Sequence, residues 1–346
     1  MLDSSGPLIV AGYPEIVFMS ETTAPFAHLS PDRVASAIES LGFYLQSEPF
    51  ALNSYENRVY LFRDDDGQRW VAKFYRPERW SDAAILDEHR FITALAEEDV
   101  AVGTLWHDND GQTLHQVDGY RLAIFQHIAG RAPSLDTPDD LFALGELIGK
   151  LHSVAQRCTL PNRPRLEWGA MARQARDTVL ASAPLSAFQR EAYQRVTDSL
   201  LRAFDALPQQ KLACHPVHGD CHIGNVLGDA EHGFVLVDFD DCLTAPAVQD
   251  LWMFLSGDRE DERRQQLSEL IEGYESWHDF DRRQLALIEP LATLRIMRHA
   301  AWLLARWSDP AFPVAFPDIK QSNFWDEHLR MLEGQAQLLA SPLQLA

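Results

Sequence analysis

Asp220, Asn225 and Asp238 form the densest concentration of chemistry in the sequence. The first two lie in His218-Gly219-Asp220-Cys221-His222-Ile223-Gly224-Asn225, and the third follows the apolar run Phe234-Val235-Leu236-Val237 and precedes Phe239-Asp240-Asp241. A carboxylate at the end of a buried strand is costly unless it meets a cation or hydrogen-bond donors. A magnesium ion bridging phosphate oxygens meets that need, because it takes few protein oxygens and keeps several waters. Phosphoryl transfer asks for an Asp that accepts the proton of the attacking hydroxyl. It asks also for an Asn five residues later and an Asp on a following strand, both holding metal. Asp220, Asn225 and Asp238 fill those places in order. The plainer alternative is that each acid caps a turn, and the ordered trio speaks against it.

The same chemistry needs a lysine on a strand, paired with a helix glutamate. The chain has only four lysines, and Lys73 stands between apolar residues in Trp70-Val71-Ala72-Lys73-Phe74-Tyr75. A buried ammonium there requires an anion, which a nucleotide phosphate and a carboxylate would supply. Glu88 shares a helical face with Ile85, Ile92 and Leu95, so it points inward. The bland alternative is a lysine that snorkels from an edge strand.

No G-x-x-x-x-G-K-[ST] loop and no strand-linked G-x-G-x-x-G occurs, which removes the P-loop and dinucleotide-binding readings. The turn expected over the phosphates, Leu52-Asn53-Ser54-Tyr55-Glu56-Asn57-Arg58, contains no glycine. Its backbone amides could still reach phosphates, with Ser54 and Asn57 as extra donors; a plain polar turn is the alternative. Cys214, His215, His218, Cys221 and His222 crowd nine residues, but their spacing matches no zinc pattern. His222 reads better as a brace for the turn, and Cys221 as a small buried filler.

Around these residues the composition is that of an ordinary globular protein: 346 residues, 46% hydrophobic and 23% charged. The formal charge of −21 argues against a nucleic-acid or anionic-membrane partner. Four scattered cysteines make no disulfide framework, no apolar run is long enough to span a membrane, and no lysine or arginine precedes Arg33. These features point to a cytoplasmic protein, expected as a monomer.

The elements that must position the chemistry fall into two groups. Residues 1–28 lack periodicity and are expected to form an N-terminal extension. Ser30-Pro31-Asp32 starts a helix that Gly42 closes. From 43 to 128 strands dominate. The segments 58–62 and 70–75 flank Asp64-Asp65-Asp66-Gly67, and 113–117 and 120–127 flank Asp118-Gly119, both hairpin signals. A helix over 81–98 separates the two pairs. After the linker Ala129-Gly130-Arg131-Ala132-Pro133, helical patterns cover 138–156, 185–206, 260–276, 281–307 and 322–340. One strand-rich island, 214–239, interrupts them. The expectation is an α+β chain of two lobes: a small β-rich lobe over 29–129 that binds nucleotide, and a mainly helical one over 130–346 that carries the catalytic turn, the metal ligands and the acceptor site.

His218-Gly219-Asp220-x-His222-x-x-Asn225 with Asp238 downstream resembles the catalytic motif of the aminoglycoside phosphotransferase and choline kinase superfamily, in which Gly replaces the Arg of the protein-kinase HRD motif. The turn at 52–60 narrows the resemblance. So do Lys73-Phe74-Tyr75-Arg76-Pro77-Glu78-Arg79-Trp80, Pro246-Ala247-Val248-Gln249-Asp250-Leu251-Trp252-Met253 and Trp307-Ser308-Asp309-Pro310-Ala311-Phe312-Pro313. Together they look like the bacterial stress response kinase A family, over the chain from about residue 25 onward. That resemblance implies a two-lobed protein-kinase-like fold and an ATP- and Mg²⁺-dependent Ser/Thr protein kinase of a bacterial stress response. It makes Asp220 the catalytic base and Asn225 and Asp238 the magnesium ligands. Ser54 becomes an ATP-contacting residue, Lys73 and Glu88 an ion pair, and the backbone of 126–129 the hinge that meets adenine. His218 and His222 support the turn, and Asp250 steadies it by hydrogen bonds, although Thr244-Ala245-Pro246 replaces the usual Gly-Asp-Pro before it.

The residues leave the acceptor open. A small-molecule kinase acting on an aminoglycoside, choline or homoserine would use the same machinery. A pseudokinase is disfavoured by the intact Asp220, Asn225, Asp238 and Lys73. Eleven residues separate Asp238 from Asp250, with Thr244 as the one hydroxyl and no A-P-E motif after them. That is too short for a phosphorylation-switched loop.

Overall fold

The computed structural model describes residues 24–207, 212–229, 233–257 and 259–340. Most of the expected N-terminal extension, 1–23, lies outside the described residues. Its remainder packs on the first lobe, where Phe26 stacks on Tyr120 and lies under the Arg58 guanidinium.

Ser30 caps helix α1 (Pro31–Ser40), its side chain accepting from the Arg33 amide. The strands β1 (Phe50–Leu52), β2 (Arg58–Arg63), β3 (Arg69–Phe74), β4 (His115–Val117) and β5 (Tyr120–Gln126) form an antiparallel sheet in the order β1-β2-β3-β5-β4. Helix α2 (Asp82–Glu97), capped by Ser81, runs between β3 and β4 in the sequence. Lys73 lies on central β3, opposite Val59 on one side and Ala123 on the other, and is 5% exposed. It does not snorkel.

The remainder is mainly helical: α3 (Pro138–Ala155), α4 (Trp168–Ser182), α5 (Ala187–Ala206), α6 (Glu260–Glu275), α7 (Ile288–Ala305), the short α8 (Ala311–Ala315) and α9 (Ser322–Ala340). Two hairpin-like pairs sit inside it. β6 (His215–Val217) pairs with β9 (Leu243–Ala245), and β7 (Val226–Asp229) with β8 (Gly233–Leu236), both antiparallel. Helix α4 has no counterpart in the sequence reading. Glu167 gives its start no side-chain cap, and its buried stripe of Met171, Ala172, Ala175 and Val179 is too poor in large apolar residues to stand out. The expected helix over 281–307 is a 3₁₀ turn (Arg282–Leu287) followed by α7, whose Pro290 sits in the first turn, where a missing N–H costs nothing.

The lobes share one core. Phe91, Ile92 and Leu95 of α2 pack with Leu144, Ile148 and Leu151 of α3 and with Leu236 and Phe239 at and beyond the end of β8. Helices α3 and α6 approach so closely that a Cβ on Gly149 would lie 2.4 Å from the Tyr274 carbonyl oxygen. That approach sets the Tyr274 hydroxyl 3.1 Å from His152 Nδ1. A second core joins α4, α5, α7 and α9. Among the described residues no helix is long and apolar enough to cross a membrane.

Three buried imidazoles make the fold acid-sensitive. Burial pushes His89 and His215 down to about 3 and His328 to about 4. Between those values and about 6.5 the unfolded chain binds protons that the folded chain refuses, so stability falls as pH falls through this window, by ~1.4 kcal/mol per pH unit for each group. His328 stacks on Tyr193 and Phe324, and its Nε2 is buried without a hydrogen bond. His328→Phe should therefore keep or raise stability at pH 7.5 and flatten its decline toward pH 5 by about one histidine's share. Urea unfolding at several pH values measures both, and an unchanged slope would show that His328 is already charged in the fold.

Candidate active site

The turn after β6 is held from behind by one carboxylate. Asp250, fully buried, accepts the backbone amides of His218 (2.7 Å) and Gly219 (2.9 Å), and His152 Nε2 lies 3.0 Å from its Oδ2. Burial works to raise the Asp250 pKa, but His152 and the backbone donors hold it below the usual carboxylate range. Gln249 Nε2 donates to the Gly219 carbonyl (2.8 Å), and His218 Nε2 to the Val237 carbonyl (2.9 Å). Gly219 has φ +89°, and a Cβ there would lie 2.1 Å from the Asp241 carbonyl oxygen, so only glycine fits.

Asp220 emerges from this turn with both oxygens engaged. Oδ1 accepts from Arg295 Nη1 of α7 (2.6 Å), and Oδ2 lies 3.3 Å from His222 Nε2. His222 Nδ1 in turn accepts the Gly224 amide (3.0 Å), which makes it the expected brace. Burial opposes ionisation of Asp220, yet His222 and Arg295 hold its pKa well below the usual carboxylate range. Asn225 Nδ2 donates to the Asp220 carbonyl (2.9 Å), which leaves its Oδ1 as the acceptor available to a ligand. Val237 N donates to the Asn225 carbonyl (3.0 Å) and thereby brings Asp238 alongside. Asp238 takes φ +63°, and its side chain is 55% exposed.

On the far side of Asp238 stands Lys73. Its Nζ lies 2.9 Å from Asp238 Oδ1, 3.2 Å from Glu88 Oε1 and 3.2 Å from Asp240 Oδ1. Burial alone would drive the ammonium toward neutrality, but Asp238, Asp240 and Glu88 raise its pKa well above the ordinary value. Glu88 also takes Arg163 Nη2 at 2.8 Å. Asp240 takes Arg79 Nη1 at 2.7 Å; burial would raise its pKa, yet Arg79, Lys73 and Arg163 keep it ionised. The expected pair of Lys73 and Glu88 is present inside a larger network.

The glycine-free turn over 53–57 is fastened to the helical lobe by Glu56. Arg306 Nη2 (2.9 Å) and Trp302 Nε1 (2.6 Å) of α7 and its C-terminal end donate to its carboxylate, and Arg76 Nε lies 3.1 Å from it. Arg76 Nη2 and Arg58 Nη2 reach Asp309 at 2.6 and 3.2 Å. Asn57, read as a phosphate donor, is instead buried, with its Oδ1 accepting the Arg76 amide (3.0 Å). Ser54 lies partly buried in the same turn. Beyond β5 the chain is tied by Gln126 N to the Thr104 carbonyl (2.9 Å) and His127 N to the Arg69 carbonyl (3.3 Å).

Asp240, Arg79, Arg163, Arg295, Glu56 and His152 are thus site residues that the sequence reading did not single out. For Asp240 a signal existed, since it directly follows Phe239 in the apolar stretch that carries Asp238.

Among the described residues no cluster of three or more His, Cys, Asp or Glu could hold a metal by itself. A cation that completes its shell with phosphates and water needs fewer ligands. The free Oδ1 of Asn225 beside the exposed carboxylate of Asp238 is a hard-oxygen set that fits one.

A lysine anchored to a helix glutamate, facing an Asp-Asn turn and a metal-type Asp across two lobes, is the arrangement of a kinase-like phosphotransferase. The model of the phosphotransferase enzyme family matches residues 49–288. The chain is 38% identical over 328 residues to the "Serine/threonine protein kinase RdoA" of Salmonella typhimurium and to the "Stress response kinase A" of Escherichia coli K12, covering 94% of this chain and 99% of each relative. The protein therefore belongs to the phosphotransferase enzyme family and, within it, to the stress response kinase A group. Among solved structures it is similar in fold to amicoumacin kinase hAmiN (TM-score 0.69, 20% identity, 91% of this chain and 95% of that one). It is similar also to the choline kinase LicA of Streptococcus pneumoniae (TM-score 0.61, 14% identity, 88% and 98%).

Asp250→Asn should expose how much the turn depends on its support. An amide can accept from one backbone N–H only by turning its own NH₂ toward the other, leaving a buried donor unpaired at a cost of about 1–3 kcal/mol. Denaturant unfolding should show that loss together with a large fall in turnover. Wild-type stability would mean that the turn is held without Asp250.

Proposed function

We propose that the protein is a Ser/Thr protein kinase of a bacterial stress response, transferring the γ-phosphoryl group of ATP to a protein hydroxyl in the cytoplasm. The observation that carries this reading is Lys73, which meets Glu88 and Asp238, while the bond from Val237 N to the Asn225 carbonyl sets the Asp220–Asn225 turn beside Asp238. The two relatives, both named as kinases and matched over nearly their whole length, support the protein acceptor and the stress role. The amicoumacin kinase neighbour is described in complex with AMP-PNP and Ca²⁺, which supports a nucleotide and a divalent cation at this type of site.

In this reading Lys73 orients the α- and β-phosphates, with Glu88 and Asp240 keeping it charged and aimed. Ser54 and the turn around it cover the phosphates, and the backbone near 126–129 meets adenine. Asn225 Oδ1 and Asp238 would hold Mg²⁺, which would neutralise charge on the phosphates. Asp220 orients the acceptor hydroxyl and takes its proton as the oxygen bonds to γ-phosphorus and the bond to the β–γ bridging oxygen breaks, releasing ADP. His218, His222 and Asp250 hold the turn that presents Asp220. The division into a nucleotide-binding lobe to residue 129 and a catalytic lobe from 130 is part of the same reading.

Asp220→Asn should lower turnover by ~10²–10⁴ while a non-hydrolysable ATP analogue still binds, since the base acts on the acceptor and not on the nucleotide. Calorimetry with the analogue, beside labelled-ATP transfer to protein acceptors and to small alcohols, tests both the role and the acceptor class. Near wild-type turnover would remove Asp220 from the chemistry, and transfer to small alcohols alone would make the protein a small-molecule kinase.

Thr244 lies in β9, its amide bonded to the Pro164 carbonyl and its carbonyl to the Leu166 amide, so the middle of the segment between Asp238 and Asp250 is pinned as a strand. Phosphatase-treated Thr244→Ala should turn over linearly from time zero. A lag ended only by phosphate incorporation would show an activation step on this segment.

A further inference from the structure

Each oxygen of Asp220 already faces a donor, Oδ1 the Arg295 guanidinium at 2.6 Å and Oδ2 the His222 ring at 3.3 Å. Of its two partners, His222 is pinned into the turn by the Gly224 amide. Arg295 instead reaches in from α7 on a long side chain that is 48% exposed, so it is the partner with room to swing away. A second arginine stands near it in a chain of net charge −21. One turn along α7, Arg298 is exposed and pairs with no acid among the described residues. Three residues apart on a helix, such side chains lie on one face. An acceptor bearing a positive charge beside its hydroxyl would meet this face unfavourably, and one bearing a carboxylate would find a planar donor fork suited to it.

We propose that Arg295 reads the acceptor. It rests on Asp220 Oδ1 in the free enzyme and moves onto the carboxylate of an acidic residue flanking the acceptor Ser or Thr, uncovering the oxygen that takes the proton. This rests on the protein-kinase reading and names its substrate class: hydroxyls in acidic peptide segments, with Arg298 as a second contact. Arg295 acts through Asp220 and is a positioning and specificity residue.

The test uses the full chain with Mg²⁺ and ATP, and peptides of one sequence in which the serine is flanked by acidic, neutral or basic residues. The wild type should favour the acidic over the neutral peptide by roughly tenfold in kcat/KM, the weight of one charge-assisted contact, expressed mainly in KM. Arg295→Ala should erase that preference while the KM for ATP changes by less than about twofold. Arg295→Glu should reverse the order and prefer the basic peptide. Because the comparison is a ratio within each variant, a lower folded fraction does not affect it. Phosphorylation of all peptides by the wild type without regard to flank charge, or variants that keep the wild-type order, would overturn the assignment and leave the protein-kinase reading standing. Transfer to small alcohols and to no peptide would overturn both.

Discussion

A single buried ammonium ties the molecule together. Lys73 Nζ lies within 3.2 Å of carboxylate oxygens from Glu88 on α2, Asp238 and Asp240, so one side chain of the sheet reaches both its own lobe and the other. Arg79 and Arg163 join the same cluster from the segment after β3 and from the segment after α3. Three cations then face Glu88, Asp238, Asp240 and Asp241, three charges against four. Removing one partner of a buried pair costs ~3–5 kcal/mol because the other charge is left uncompensated. Lys73, Glu88, Asp240 and Arg163, all buried, cannot therefore be exchanged alone, whereas Asp238 and Asp241 keep part of their carboxylates in water.

The catalytic turn follows an opposite logic. Its support is a carboxylate that holds two backbone amides and the His152 ring, with no lysine or arginine among its partners in the described residues. Such bonds fix direction more than they add attraction, which suits a turn whose task is to present Asp220 at one place. The glycine contacts between α3 and α6 belong to the same task, since they place Tyr274 against His152 and His152 against Asp250. Packing between α3 and α6 is in this way transmitted to the turn that carries Asp220.

Asp220, Asn225 and Asp238 were legible because their spacing within one short island encodes a geometry that the backbone must adopt. Lys73 and Glu88 were legible because a charge inside an apolar pattern demands a partner. The strand pairs and capped helices followed from turn residues and periodicity, which act over a few residues. Arg295, Arg163 and the bonds from Arg306 to Glu56 were not legible, for the reason that their partners lie 75 and 250 residues away in the chain. Nothing local distinguishes one arginine from the others. The same distance hides what holds Asn57: its Oδ1 accepts the amide of Arg76, which is 19 residues away and becomes a neighbour only across β2 and β3.

The clasp on the glycine-free turn changes what counts as the working unit of this enzyme. Glycine-rich covers derive their fit from backbone freedom, whereas here the cover is held from outside by Arg306, Trp302 and Asp309. Those residues, with Arg295, lie beyond position 288, where the match to the family's common pattern stops. A fragment cut at that boundary would keep every residue named in the catalytic motif and lose both the grip on the cover and the hand on the base. In this chain, α7 and the segment after it are the elements that hold both the cover and Asp220, so the reach of the motifs understates the reach of the contacts that position them.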